Sequence, residues 1–283
     1  MNFFQALLHF EFLQLVVLAG LVAAISSGVV GSLVVVKRIT FMAGGIAHAV
    51  LGGMGVAHYL EYPPLAGAFV AAILAALLIG WVQMHYQQRE DMLIGAVWAV
   101  GMAIGILAIA KTPGYSTHLM SYLLGNLLLV GRDQVVMMVL LNLLMLTLLA
   151  LVYRPLMATL ADEEFARLRG IRTRSLYLGL LVMIALATVI LVHSVGLILV
   201  MALLTLPAAT GMIFVMTLGR LLILSTLIAA ATIFAGLVVS YEMDLPSGAV
   251  IVLIAAGVYM FSLILRSMIS ARSQQKPSQS GDS

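Results

Sequence analysis

The stretch that decides the fold is residues 175–219, SLYLGLLVMIALATVILVHSVGLILVMALLTLPAATGMIFVMTLG, which contains no Asp, Glu, Lys or Arg. As a single helix this run would extend roughly 68 Å, whereas the hydrocarbon core of a bilayer is about 30 Å thick. The run must therefore cross a membrane, turn and cross back. We expect the turn at His193-Ser194-Val195-Gly196, where a glycine follows small and polar residues.

The composition of the whole chain indicates an all-α integral membrane protein. Of its 283 residues 63% are hydrophobic and only 9% are charged, whereas about a quarter of the residues in soluble domains are charged. We expect one transmembrane domain over residues 1–269 and a disordered cytoplasmic tail over residues 270–283, which is polar and without apolar periodicity. Cysteine is absent, which excludes disulfides and thiolate metal sites. The partner that composition implies is membrane lipid, and no nucleic acid is expected.

Stretches free of charged residues predict about nine transmembrane helices, since a crossing needs about 20 apolar residues. They are 12–36, 39–60, 62–88, 92–110, 134–153, the two halves of 175–219, 221–241 and 245–265. Residues 119–130 are apolar but too short to cross, so they predict a re-entrant or interfacial helix. The sequence leaves eight and nine crossings open.

Basic residues indicate the orientation, because Lys and Arg collect in cytoplasmic loops. With Lys37 and Arg38 inside, 12 of the 14 Lys and Arg residues lie on the cytoplasmic side. The amino terminus is then outside and the carboxyl terminus inside, as in a multi-pass protein of a prokaryotic cytoplasmic membrane. The outer side carries Glu11, Glu61, Asp133, Glu242 and Asp244, and we expect an outer mouth that attracts cations.

No motif in the sequence indicates an enzyme. No Gly-Lys pair exists to form a phosphate-binding loop, and no HExxH or GxSxG motif occurs with partner residues. The longest loop contains DEEFARLRGI at residues 162–171, with acids first, bases last and glycine as a stop, which predicts a short helix. On these residues alone it is either a solvated connector or a docking element for a cytoplasmic partner.

Five segments, by their order and spacing, resemble the permease subunits of ATP-binding-cassette (ABC) importers for zinc and manganese, the ABC-3 type metal permeases. They are GSLVVVKRITFMAGGIAHAVLGGMG (31–55), MSYLLGNLLLV (120–130), LADEEFARLRGI (160–171), VGLILVMALLTLPAAT (195–210) and SYEMDLPSG (240–248). The resemblance implies a homodimeric permease that receives a divalent metal from a solute-binding protein. It implies a separate ABC ATPase subunit, docked on a coupling helix through Asp162, Glu163, Glu164, Arg167, Arg169 and Gly170. No permanently bound cofactor is expected.

His48 is the first candidate for the metal path, because an ionisable side chain inside a membrane helix is costly and is a functional candidate by default. The alternative is a buried, hydrogen-bonded histidine. The resemblance places His48 on the translocation path. It also shows departures, since many such permeases carry Asp where this chain has Gly44 and Gly-Asp where it has Gly125-Asn126.

Further candidates lie at the outer side and in one helix. His118 stands where the resembling family carries an acid, which favours zinc over manganese. Glu242 and Asp244 form an acidic outer loop, with a solvated turn as the alternative. Pro207 is expected to break its helix, free backbone carbonyls and line the pore or gate.

The leading interpretation is a permease for zinc, manganese or iron. The first alternative is an ABC permease for a metal chelate or another small nutrient. A secondary cation transporter would need an ionisable group within the membrane that titrates during transport. A structural membrane subunit would tolerate charge reversal in residues 162–171.

Overall fold

A computed structural model describes residues 3–86, 90–112, 127 and 130–274, and this part of the chain contains helices and no strand. The helices are α1 (Phe3–His9), α2 (Glu11–Val36), α3 (Thr40–Tyr59), α4 (Pro64–His85), α5 (Glu90–Ala110), α6 (Arg132–Ala161), α7 (Glu163–Leu168), α8 (Thr173–Val195), α9 (Leu197–Phe214), α10 (Leu218–Met243) and α11 (Ser247–Gln274). The fold is therefore an all-α bundle, as the sequence predicts.

Nine helices of the described part are long and apolar enough to cross a membrane: α2 to α6 and α8 to α11. This number confirms the sequence prediction. The turn within residues 175–219 is also confirmed, because α8 ends at Val195 and α9 begins at Leu197. Gly196 joins them with a φ of 82°, a left-handed conformation that glycine adopts without steric cost.

Two helix ends differ from the charge-free stretches. The sixth helix runs through Pro155 to Ala161, and the last helix extends to Gln274, into the segment for which the sequence predicts disorder. Residues 275–283 lie outside the described residues, as does nearly all of the predicted re-entrant helix at 119–130. Both predictions stay untested there.

Glycine determines how α3 packs between α4 and α5. A Cβ atom on Gly52 would lie 2.6 Å from the carbonyl oxygen of Gly101 in α5, and one on Gly53 would collide with the backbone of Gly67 in α4. Only residues without side chains allow helix backbones this close. The glycines that surround His48 in the sequence are therefore packing residues, and they fix α5 directly over α3.

Contacts at the ends of the helices agree with the predicted orientation. Lys37, just after α2, lies 3.8 Å from the carboxylate of Glu163 in α7, so both belong to the same face of the bundle. Gly45 packs on Ile94 and Gly55 on Gly105, so α3 and α5 run in the same direction. The face that carries Lys37 and α7 is the one to which the sequence assigns the basic loops.

Candidate functional site

His48 lies in the middle of a buried stretch of α3. All other residues from Met42 to Leu51 are buried, and His48 alone among them keeps an accessible surface. The small residues on either side of His48 pack against neighbouring helices, and the imidazole lies at the edge of this helix packing. His48 is therefore the one residue of 42–51 whose side chain is more than marginally accessible.

Trp98 of α5 holds the His48 ring in place. The two rings are stacked, with centroids 4.0 Å apart and planes inclined by 18°. The Nδ1 atom of His48 is buried and has no hydrogen-bond partner among the described residues. A buried polar atom without a partner is costly.

Gly44 lies one helical turn before His48 on the same face of α3. The space beside it is occupied, because a Cβ atom on Gly44 would meet the Met201 side chain of α9 and the Trp98 ring. Met201 and Trp98 are both half-buried. Sequence reasoning missed these two residues, since neither carries a charge and Met201 is one of 18 methionines.

The outer acidic residues do not join His48. Glu242 lies in the last turn of α10 and is exposed, and Asp244 caps that helix in a left-handed conformation with a φ of 53°. The hydroxyl of Ser240 donates to the Leu245 carbonyl and holds this loop. Among the described residues, no three His, Asp or Glu side chains are grouped to hold a metal ion. The structure therefore does not gather His48, Glu242 and Asp244 into one cluster.

A second histidine lies at the outer ends of α6 and α8. The side chain of Gln134 accepts a hydrogen bond from the Gly131 N–H, and its amide nitrogen lies 3.1 Å from Nε2 of His193. Since the Gln134 oxygen is used by Gly131, the amide donates to His193. This contact ties the start of α6 to the end of α8. His118 and Asn126, the other candidates from this side of the sequence, lie outside the described residues.

Pro207 does not break its helix. The prediction of a break is wrong, because α9 is continuous from Leu197 to Phe214 with Pro207 inside it. Pro207 is buried, whereas Met201 and Thr205 on the same helix are half-buried. The hydroxyl of Thr205 donates to the Met201 carbonyl, which adds a hydrogen bond in the turn before the proline.

The short helix α7 is built as the sequence signals predict. The Asp162 carboxylate caps it by accepting a hydrogen bond from the Phe165 N–H at 2.9 Å, and Gly170 ends the turn with a φ of 80°. The guanidinium of Arg169 lies 4.9 Å above the Phe165 ring. Ala166 is fully buried and anchors the helix on the bundle.

Two large apolar side chains on α7 point outward. Phe165 is 51% exposed and Leu168 is 83% exposed, and they stand three residues apart, on one side of the helix. The six residues that the resemblance implies for docking are exposed around this pair: Asp162, Glu163, Glu164, Arg167, Arg169 and Gly170. The sequence prediction named these six residues and missed the apolar pair, which the i, i+3 spacing could have indicated.

An apolar groove of about 740 Å³ lies between α4 and α5 with α3 as its floor. Its lining includes Gly52 and Gly53 on α3 and Val100 and Ile104 on α5. His48 does not line it.

The described part of the chain has nine helices long and apolar enough to cross a membrane, an accessible imidazole within one of them and an exposed short helix. These features are those of a multi-pass membrane transport protein. The model of a family described as the ABC 3 transport family matches residues 9–266. The chain belongs to this family, and it is a permease component of the cytoplasmic membrane.

Relatives and a solved structure agree with this membership. An uncharacterized membrane protein of Synechocystis sp. is 40% identical over 259 residues, which cover 92% of either chain. A protein of Listeria monocytogenes named manganese transport system membrane protein MntC is 31% identical, covering 93% of this chain and 94% of its own. The structure of PsaBC from Streptococcus pneumoniae in complex with Fab has a TM-score of 0.84 at 30% identity, covering 92% of this chain and 94% of that chain.

Proposed function

We propose that this chain is the permease of an ABC importer for a divalent first-row metal ion and that the ion passes along α3 at His48. The observation that carries the proposal is the single accessible imidazole in an otherwise buried, glycine-packed stretch of α3. The name of the Listeria relative supports a metal ion as the substrate. The ion is transported and not retained, so His48 should bind it weakly enough for release.

The path begins at the outer side in this proposal. Glu242 and Asp244 raise the local concentration of dications, and a solute-binding protein delivers the ion there. His118 and Asn126 belong to the same proposed path. Two copies of the chain enclose the path between them, and residues 1–269 form the transmembrane domain of each copy.

A separate ATPase subunit drives transport by binding α7. Phe165 and Leu168 expose apolar surface next to charged residues, and an apolar pair inside a polar rim is the usual composition of a protein interface. The buried Ala166 and the capping Asp162 keep this short helix rigid. A rigid helix transmits the movement of a bound subunit to the bundle.

Metal uptake by cells that depend on this importer tests the proposal. We expect competition for uptake among zinc, manganese and iron, and we expect His48→Ala to abolish uptake while the protein stays in the membrane. His9→Ala is the matched control, because His9 is an exposed histidine near the outer side. Normal uptake by the His48→Ala variant would refute the proposed path.

Co-purification tests the partner. The ATPase subunit should remain bound to the unmodified chain and be lost on Phe165→Ser combined with Leu168→Ser. Met216→Ser is the control, since Met216 is 96% exposed in the loop between α9 and α10. Metal transport by the chain without any ATPase would contradict the ABC mechanism and favour a secondary cation transporter.

A further inference from the structure

We infer that Met201 is a specificity-determining residue of the His48 site. The two side chains select metal ions that bind nitrogen and sulfur ligands, with zinc preferred over manganese. This inference rests on the proposed function, because it names the class of ion that the same path accepts. It goes beyond that function, because nothing in the sequence pattern assigns Met201 a role.

The position of the Met201 sulfur follows from the space beside Gly44. A Cβ atom on Gly44 would lie 2.7 Å from Cε and 3.3 Å from the sulfur of Met201. Gly44 and His48 are one helical turn apart, so their side-chain positions are neighbours on one face of α3. The thioether of Met201 therefore fills the space that a side chain at residue 44 would occupy. From that space such a side chain would reach an ion at His48.

Trp98 brings the two donors together. Its ring stacks on His48 at 4.0 Å, and its Cζ3 atom lies 3.3 Å from the same Cβ position on Gly44. One indole ring thus borders both the imidazole and the space that holds the thioether. Trp98 belongs to α5, which glycine contacts hold against α3, so the ring is fixed by the packing of the bundle.

All three side chains remain partly accessible. His48, Trp98 and Met201 are half-buried, whereas Ala47 on α3 and Val200 on α9, their neighbours in the chain, are fully buried. The Nδ1 atom of His48 has no hydrogen-bond partner in the described part of the chain. An ion at the accessible part of His48 would lie next to the Gly44 position, beside which the thioether lies.

The chemistry of these donors determines the ion. Imidazole suits zinc, copper, iron and nickel, and thioethers favour soft ions, whereas manganese is best served by carboxylate, carbonyl and water oxygens. Gly44 supplies no oxygen ligand, and the described residues contain no His, Asp and Glu cluster that would add one. The site should therefore discriminate against manganese.

Trp98 fluorescence measures ion binding directly. The chain contains two tryptophans, and Trp81 is 51% exposed on α4, so Trp81→Phe leaves Trp98 as the reporter of the site. The full-length chain in lipid nanodiscs is titrated with zinc, manganese and silver, the last as a stable probe of thioether binding. We expect zinc to bind at least about tenfold more tightly than manganese.

Two substitutions separate the donors. Met201→Leu keeps the volume and removes the sulfur, and we expect it to weaken silver binding by at least about tenfold and to reduce the preference for zinc. Met212→Leu, on the same helix, is the control and should bind like the parent. Gly44→Asp displaces the flexible end of Met201, adds an oxygen ligand and should shift the preference toward manganese.

The outcomes separate the role of Met201 from the role of His48. Equal affinities of Met201→Leu and Met212→Leu for all three ions, with binding lost in His48→Ala, would overturn the role of Met201 and leave the path intact. Binding unchanged in His48→Ala would overturn both. A chain that binds zinc with this preference but carries no metal in cells would refute the proposed function and leave the site standing.

Discussion

Replacing Gly52 by alanine should loosen the contact between α3 and α5. The new Cβ atom would lie 2.6 Å from the Gly101 carbonyl oxygen, and real Cβ contacts are essentially never closer than 3.0 Å. The neighbour is backbone, so no side chain can rotate away and α5 has to move outward by several tenths of an ångström. Overpacking of this kind costs about 1–3 kcal/mol.

A matched control removes the effect of helix propensity. Alanine is favoured over glycine in a helix by about 1 kcal/mol, which would partly offset the loss in Gly52→Ala. Gly95→Ala on α5 has the same gain in helix propensity and makes no new contact with the described residues, because none of them lies within 4 Å of a Cβ atom there. The difference in unfolding free energy between these two variants is therefore the overpacking cost.

Equilibrium unfolding in mixed micelles with increasing sodium dodecyl sulfate measures this difference. We expect Gly52→Ala to be less stable than Gly95→Ala by about 1–3 kcal/mol. Because Trp98 moves with α5, its emission in the Trp81→Phe background should also change in Gly52→Ala. Equal stability and equal emission of the two variants would refute the interpretation that backbone contact fixes α5 over α3.

Three further predictions concern the polar contacts. Asp162→Ala removes the cap of α7 and should cost about 1 kcal/mol of helix stability; weaker co-purification of the ATPase than with Asp162→Asn would show it. Asn142→Leu removes the 2.6 Å hydrogen bond from Ser26 and should lower the unfolding free energy by about 0.6–1.7 kcal/mol. Leu143→Ala, on the exposed face of the same helix, should show no such loss when it is measured in the Ser26→Ala background. Lys37→Gln breaks a 3.8 Å ion pair whose Glu163 side chain is 57% exposed, so its thermal midpoint should shift little, since exposed pairs contribute about 0–1 kcal/mol.

The sequence predicts the bundle well because bilayer thickness sets the length of each helix. The turn at Gly196 follows from the excessive length of residues 175–219, and the cap and stop of α7 follow from Asp162 and Gly170. Pro207 was predicted to break α9, and this was wrong. A proline removes one helical hydrogen bond, but packing on both sides and the side chain of Thr205 keep the helix continuous.

The site is predicted less completely than the fold. His48 stands out in the sequence because an ionisable residue inside a membrane helix is rare. Trp98 and Met201 meet it from helices that are distant along the chain, and apolar residues in a chain that is 63% hydrophobic give no signal of such a meeting. The Phe165 and Leu168 pair was missed for a related reason: the pair stands out because both side chains are exposed, and the sequence does not show which apolar residues are exposed.

A continuous series of contacts links α7 to His48 through α8 and the start of α3. The Ile171 N–H donates to the Ala166 carbonyl and joins the end of α7 to the start of α8. In α8 the Tyr177 hydroxyl lies 3.2 Å from the sulfur of Met42, and Met42 precedes His48 on α3 by fewer than two helical turns. We therefore expect movement of α7 under a bound ATPase to reach α3 through α8. Since α3 is fixed to α5 by glycine contacts and to Trp98 by ring stacking, α3 and α5 should move together, and the opening beside His48 should change mainly at Met201 on α9.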